Sequence, residues 1–238
     1  MSQLALQIVA RRAYAADNFY LHRGVQQAAL QIPKLLETTG FKLITVRAPT
    51  VHSGLTHFSI YLGDILARQG RLPRLIDAES VMEGVWARDS AFTDARDVVV
   101  LDDCDRYLKA LARDDTGHFV TMVESIRQAG GSIILLVHSA FESLSLDQHV
   151  MSRVRSGFES VIEHPSREDM NGLIRAMARQ RGVEISSRNV DFLARRLPTQ
   201  IAALDDYFER VAALAQVSGR SIRLPLLSEA IGSLAVRY

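Results

Sequence analysis

The sequence is short of several things, and each shortage excludes a class. One cysteine stands in 238 residues, so neither an internal disulfide nor a multi-cysteine metal site can form, and the chain fits a reducing compartment. No run of about 18 apolar residues occurs, so no transmembrane helix and no membrane partner are expected. The basic region, apolar stretch and cleavage site of a signal peptide are missing as well, and the protein reads as cytoplasmic. Lysine is scarce: Lys34, Lys42 and Lys109 are the only ones among 28 basic residues. An excess of one charge is missing too. The 28 basic and 27 acidic residues leave a net charge of +1, which gives no bulk footprint for nucleic acid and leaves room only for a local patch. What remains is an ordinary globular composition, 47% hydrophobic and 23% charged, long enough for one large domain or a domain with a smaller second one.

Hydrophobic patterning divides the chain in three. Residues 1–18 read as a tail. From 19 to 164, apolar runs alternate with amphipathic segments. Residues 24–38 read as helical, with Pro33 expected to kink or split the segment. Lys42–Arg47 reads as a buried strand, Phe58–Gln69 as a helix closed by Gly70, and Leu75–Asp77 as a short strand. Val98–Leu101 and Ile133–Val137 are fully apolar and suit strands buried on both faces of a parallel sheet. His118–Gln128 reads as a helix and Phe158–Glu163 as a last strand. This order predicts a three-layer α/β domain. From 165 to 238 the periodicity is helical, as in Met170, Leu173, Ile174, Met177 and Ala178, and a small helical domain is expected.

Four segments bear on function. The strand–loop–helix at 42–69 is the context of a phosphate-binding loop, which needs glycines, a lysine and a Ser/Thr. Here Gly54 and Thr56 fit, Pro49 stands at the first glycine, and Leu55 stands where the lysine should be. An ordinary strand-to-helix loop reads equally well. Asp102 and Asp103 end an apolar strand, as in a Walker B motif whose first acid holds magnesium and whose second polarises water; solvated strand-end acids are the plain alternative. Ser152-Arg153 precedes the last strand, where a planar guanidinium can reach a phosphate across a subunit boundary; from the residue alone, an ordinary surface arginine is the better reading. Gln3, Leu4, Leu6 and Ile8 fit the Q-L-x-L-x-[LI] form of bacterial sliding-clamp-binding peptides, an extended tail that seats an amide and spaced leucines in an apolar groove; a terminal strand or loop that covers the core is the plain alternative. His52 and His57 lack a third ligand, so no zinc site is expected. Cys104, after the twin acids, reads as a core residue at a strand end.

In this order the pieces resemble the DnaA family of AAA+ proteins, and within it the short Hda-type branch, over nearly the whole chain. Asp17-Asn18-Phe19 is similar to the family's entry motif, Gly54-Leu55-Thr56-His57 to the end of its P-loop, Leu101-Asp102-Asp103 to Walker B, Ser152-Arg153 to the arginine-finger segment, and Arg196-Leu197 with Ala203-Leu204 to the sensor II helix. No DNA-reading helix-turn-helix is expected after the lid helices.

The resemblance implies an AAA+ three-layer αβα domain with a parallel sheet and a helical lid, a protein that docks on the sliding clamp through Gln3, Leu4, Leu6 and Ile8, and an arginine finger, Arg153, acting in trans on ATP held by DnaA. DNA would be met indirectly, through the loaded clamp, and a homodimer is compatible. The departures are equally specific. Leu55 replaces the P-loop lysine, Pro49 the first glycine, and Ala202 stands at the sensor II arginine. Two cations that face a triphosphate are gone while both acids remain, so weak ADP binding through backbone groups and Thr56 is expected, and tight ATP–magnesium binding and turnover are not. Two alternatives stay open: an AAA+-derived adaptor that recruits another replication or cell-cycle protein, and a helicase-loader-like ATPase using Arg47 in place of the lysine.

Overall fold

The computed structural model describes residues 15–48, 53–84, 94–111 and 115–232. Five parallel strands form one sheet: β1 (Lys42–Arg47), β2 (Leu72–Asp77), β3 (Asp97–Asp102), β4 (Ser132–Val137) and β5 (Phe158–Val161), in the spatial order β2-β3-β4-β1-β5. β3 and β4 are buried along almost their whole length, while the edge strands β2 and β5 are largely open on one side. This is why the central strands read as unbroken apolar runs and the outer ones do not. Register puts Asp77 of β2 beside Asp102 of β3, and Arg47 of β1 beside Val137 and Val161.

Helices cover both faces. On one lie α1 (Arg23–Leu36) and α2 (Leu55–Arg68), whose Val25, Ile32, Phe58 and Leu62 pack on Ile44, Val46, Val98 and Val100. On the other lie α3 (Ala78–Met82), α4 (Cys104–Ala110), α5 (Phe119–Gln128) and α6 (Gln148–Arg155), packed on Val99, Leu101, Ile133 and Leu135. Alternate residues of β1, β3 and β4 thus feed two separate apolar clusters, as the period of a strand requires. A third cluster holds α7 (Met170–Gln180), α8 (Ser187–Ala194), α9 (Ile201–Ser218) and α10 (Leu224–Gly232) together as the lid. No described helix is long and apolar enough to cross a membrane.

Several expectations need correction. α1 runs through Pro33 as one helix. α2 starts at Leu55, three residues before the expected Phe58, because left-handed Gly54 (φ 90°) turns the chain directly into it. α3, α4 and α6 were not anticipated; each is short and follows a strand or a bend closely. Cys104 opens α4 and does not end a strand; it is fully buried, and burial pushes its thiol well up, which leaves it unreactive. Residues Ala16–Asn18 form a 3-10 turn and not a featureless tail. The segment 221–224, with its slight strand signal, leads into α10.

The start of α1 meets the segment that leaves β5 at a tight joint. Gly24 in the first turn of α1 lies against the carbonyls of residues 163 and 164, so that a Cβ there would sit 2.2 Å from Glu163 O and 2.9 Å from His164 O. Both contacts are backbone and cannot move aside cheaply. Gly24→Ala is therefore expected to cost about 1–3 kcal/mol in urea denaturation, whereas Gly232→Ala, with nothing within 4 Å, should be near neutral.

Candidate functional site

All five strands end at one edge of the sheet, and ligands of open parallel sheets bind outside that edge. A cavity of about 520 Å³ lies there. Its floor is the turn after β1 (Ser53, Gly54, Leu55, Thr56), with Asp77 from the end of β2, Asp102 and Asp103 from the end of β3, and His138 from the end of β4. Its roof is the lid: Leu173, Met177 and Gln180 of α7, Ile201 and Asp205 of α9. The entry segment closes the side with Phe19, Tyr20 and His22. The P-loop-like and Walker B-like residues are thus brought to one place.

The floor has the backbone of an anion site. Gly54 caps the N-terminus of α2, a 14-residue helix whose first amides and dipole favour negative charge. A Cβ on Gly54 would lie 3.4 Å from Ile201 Cδ1, so the lid rests directly on this turn. Leu55, in the lysine position, is 2% exposed and belongs to the apolar cluster under α2. Thr56 is exposed toward the cavity. Ser53 Oγ and His22 Nδ1 are buried, line the cavity and have no hydrogen-bond partner, the condition of polar atoms that await a ligand or water.

The charges around this backbone have the opposite sign from those a polyphosphate needs. Four aspartates line the cavity, and no lysine or arginine does among the described residues. Asp77 is partly engaged, since its Oδ1 accepts from Ser80 N at 2.7 Å and this holds its carboxyl below the ordinary range. Asp205 is paired with Arg181 at 2.7 Å. Asp102 Oδ1 accepts from Asp103 N at 3.0 Å. Asp103 has φ 52°, the one non-glycine residue with positive φ among those described; an aspartate tolerates that turn better than most. Burial, with Asp105 and Asp102 adding to it, raises its carboxyl. No group of three or more acids, histidines or cysteines suited to a metal is found among the described residues.

The other expected site residues fall elsewhere. Arg47 lies outside the cavity lining and is bound to Glu159 at 2.9 Å. Ala202 is not a lining residue either: Ile201 and Asp205 are the positions of α9 that face the cavity. Arg153 sits in the last turn of α6, away from the lining. Its Nε and Nη2 bind Glu124 Oε1 at 3.0 Å and its Nη1 donates to His149 O at 3.2 Å. The clamp-type residues Gln3, Leu4, Leu6 and Ile8 lie outside the described residues, as do Pro49 and His52.

The sequence reading missed the walls. Tyr20 and His22 follow the Asp17-Asn18-Phe19 motif closely, and Asp77 ends a strand that had been identified, so their placement follows once the sheet order is known. Phe19 stacks on Tyr61 (centroids 4.8 Å) and meets His57 edge-on at 4.9 Å, while His57 Nε2 hydrogen-bonds Ala15 O at 3.0 Å. Gln180 Nε2 donates to Asn18 O at 2.9 Å and Arg23 N to Asp169 Oδ1 at 3.2 Å. The entry segment therefore ties α2 to the lid.

No family model matches the chain. Among curated proteins it is similar to the chromosomal replication initiator protein DnaA of Burkholderia multivorans and of Burkholderia cenocepacia, 25% identical over 191 residues, which is 76% of this chain and 36% of each relative. The chain thus spans little more than a third of the length of these relatives. Among solved structures it resembles domain III of the Thermotoga maritima replication initiation protein DnaA, with a TM-score of 0.68, 14% identity and coverage of 94% and 97% of the two chains. AMPPCP-bound DnaA from Aquifex aeolicus gives 0.61, 17%, 92% and 80%. The Thermotoga maritima RuvB Holliday junction branch migration motor gives 0.64, 14%, 94% and 72%. The αβα sheet with its helical lid is the AAA+ fold of these neighbours.

The cavity wall carries a pH dependence. Burial pushes His22 from 6.5 down to about 4, against the opposing pull of Asp169. A histidine kept neutral by the fold takes its proton more readily when unfolded. Stability is therefore full above pH 6.5 and is lost as pH falls from there toward 4, by at most about 3 kcal/mol. Urea denaturation across that range should show the decline, and His22→Gln should remove most of the slope.

Proposed function

We propose that this chain, a DnaA-like AAA+ protein, regulates replication initiation without hydrolysing ATP itself. The observation that carries the reading is the cavity: a loop and helix N-terminus shaped for phosphate, with Leu55 buried where the lysine is needed and four aspartates in place of cations among the described lining residues. Hydrolysis of a nucleoside triphosphate depends on cations that offset charge on the transferred phosphoryl group. A single bound phosphate can still be met by the amides at Gly54 and by Thr56, so ADP binds weakly and ATP no better. The curated relatives are replication initiators named DnaA, and this is what points to initiation as the process.

In this reading the chain docks on the DNA-loaded sliding clamp through Gln3, Leu4, Leu6 and Ile8 and presents Arg153 to ATP held by DnaA. The guanidinium is planar and always charged, and suits charge spread over three equatorial oxygens. It must exchange Glu124 for that phosphate. The Arg153–Glu124 pair favours the second reading as well, an adaptor that recruits another replication protein and in which Arg153 serves only to pack α6 on α5.

The experiment is ATP hydrolysis by purified DnaA with DNA-loaded clamp and this protein. Stimulation by wild type, with a loss of at least about tenfold for Arg153→Ala, supports the finger. No stimulation by either, with clamp binding intact, selects the adaptor. Clamp binding itself should disappear with Gln3→Ala combined with Leu6→Ala. The chain alone should show no turnover, and Asp103→Asn should change nothing; turnover that Asp103→Asn abolishes would overturn the non-hydrolysing reading.

A further inference from the structure

Charge is spread unevenly over the chain. Residues 170–196 hold six arginines and two acids. Of the 28 basic and 27 acidic residues this leaves 22 and 25 for everything else, so a molecule of net charge +1 consists of a strongly positive lid face on a slightly negative remainder.

The fold gathers these arginines. α7 buries Met170, Leu173, Ile174, Met177 and Ala178, which turns Asn171, Arg175 and Arg179 outward along one ridge at i, i+4 and i+8. Arg188, Arg195 and Arg196 are exposed on α8 and just beyond it. Arg175 and Arg179 line one shallow concavity with Gly182, Glu184 and Ser186; Arg195 lines its neighbour with Arg167, Asn171 and Asp191. One of the two acids, Asp191, is already held by Asn171 Nδ2 at 3.0 Å.

Two further facts distinguish this face from an ordinary solvated one. Arginines elsewhere in the described chain commonly have a carboxylate, as Arg47, Arg68, Arg74, Arg96 and Arg220 do. Arg175, Arg179, Arg188 and Arg195 have no acid partner among the described residues. Moreover, no large exposed hydrophobic residue lies between 170 and 196; those described are at Leu30, Leu72, Leu75, Met82, Phe158, Val161 and Val217. A protein partner needs apolar or aromatic anchors at the centre of its contact. A face dominated by guanidinium groups, four of them without an acid partner among the described residues, instead suits a ligand that is itself a repeated anion, because the planar fork matches phosphate oxygens in pairs.

We propose that the α7–α8 face of the lid binds the phosphate backbone of a nucleic acid, without reading base sequence. Adjacent ridge arginines stand about 6 Å apart, close enough to engage successive phosphates of one strand, and backbone contacts alone position without specifying. The inference stands apart from the cavity and the clamp peptide and holds whether or not the reading of those two does.

The test is fluorescence anisotropy of the whole chain against labelled single-stranded and duplex DNA of arbitrary sequence. Binding should be indifferent to sequence and weaken about 10²-fold between about 50 and 200 mM salt, as expected for about four phosphate contacts. Arg175→Glu combined with Arg179→Glu should lower affinity at least about tenfold and flatten the salt dependence. Arg68→Glu, on the base and already paired with Asp64, should change it less than about twofold. Circular dichroism of each variant verifies the fold, and Arg175→Ala with Arg179→Ala gives a milder version of the same loss. Absence of wild-type binding at low salt, or binding untouched by either double variant, overturns the proposal. So does polyglutamate competing as well as DNA charge for charge, which would assign the face to an acidic protein.

Discussion

A parallel sheet brings the ends of all its strands to one edge, and in this chain three of those ends carry carboxylates or the turn that faces them. Asp77, Asp102 and Asp103 converge there because β2 and β3 are neighbours in register, and the lid adds Asp205. Charges of one sign gathered in a partly desolvated space must be answered by hydrogen bonds, by counter-ions or by protonation. The protein uses the first two outside the cavity, through the Ser80 amide and Arg181. The Asp103 carboxyl is raised by burial and by the acids beside it. The rest of the site is arranged around this imbalance.

The imbalance bears on how lid and base are held together. In a site with a bound polyphosphate, lid and base can be bridged by the ligand itself. Here the bridge is protein. Ile201 rests on the Gly54 turn, Gln180 holds the backbone of Asn18, and Asp169 caps the start of α1 at Arg23. Asp169 also accepts from the amide and hydroxyl of Ser166, which keeps its carboxyl below the ordinary range once the cost of burial is offset. His22 sits at the centre of this joint, nearly fully buried, and its neutral state is a condition of the packing. The lid is thus seated on the base by direct protein contacts.

How much of this was legible in the sequence depends on the kind of signal. Val98–Leu101 and Ile133–Val137 announced themselves because central parallel strands bury both faces, and the lid helices because one face alone is apolar. The acids at 102 and 103 followed from the strand that ends in them. Short helices did not show: Cys104–Ala110 and Gln148–Arg155 are too brief for periodicity to stand out. The start of α2 was misplaced because a left-handed glycine can begin a helix without a loop, and nothing in Leu55-Thr56-His57 says that it has. A linear match also gives a position on a helix but not its rotation: Ala202 follows Ile201 directly, and α9 turns Ile201 and Asp205 to the cavity. Tyr20, His22 and Gln180 come together only through the tertiary fold, so no local pattern could have paired them.

The two arginine populations of the chain show what its composition is for. With three lysines in all, nearly every cation is a guanidinium, which cannot give up its proton and binds carboxylate or phosphate through a fixed fork. Where such a group has a carboxylate within reach, as Arg153 has in Glu124, binding a phosphate means exchanging one anion for another, and the gain is the difference between the two. Where it has none, as on the α7–α8 ridge, the whole interaction is available to an incoming anion, at the cost only of its own hydration. An exchanged guanidinium discriminates, because it moves only for a better-placed charge. A free one attracts any polyanion. The chain thus carries a paired guanidinium on α6 and unpaired ones on the lid, and the difference between the two is set by one neighbouring glutamate.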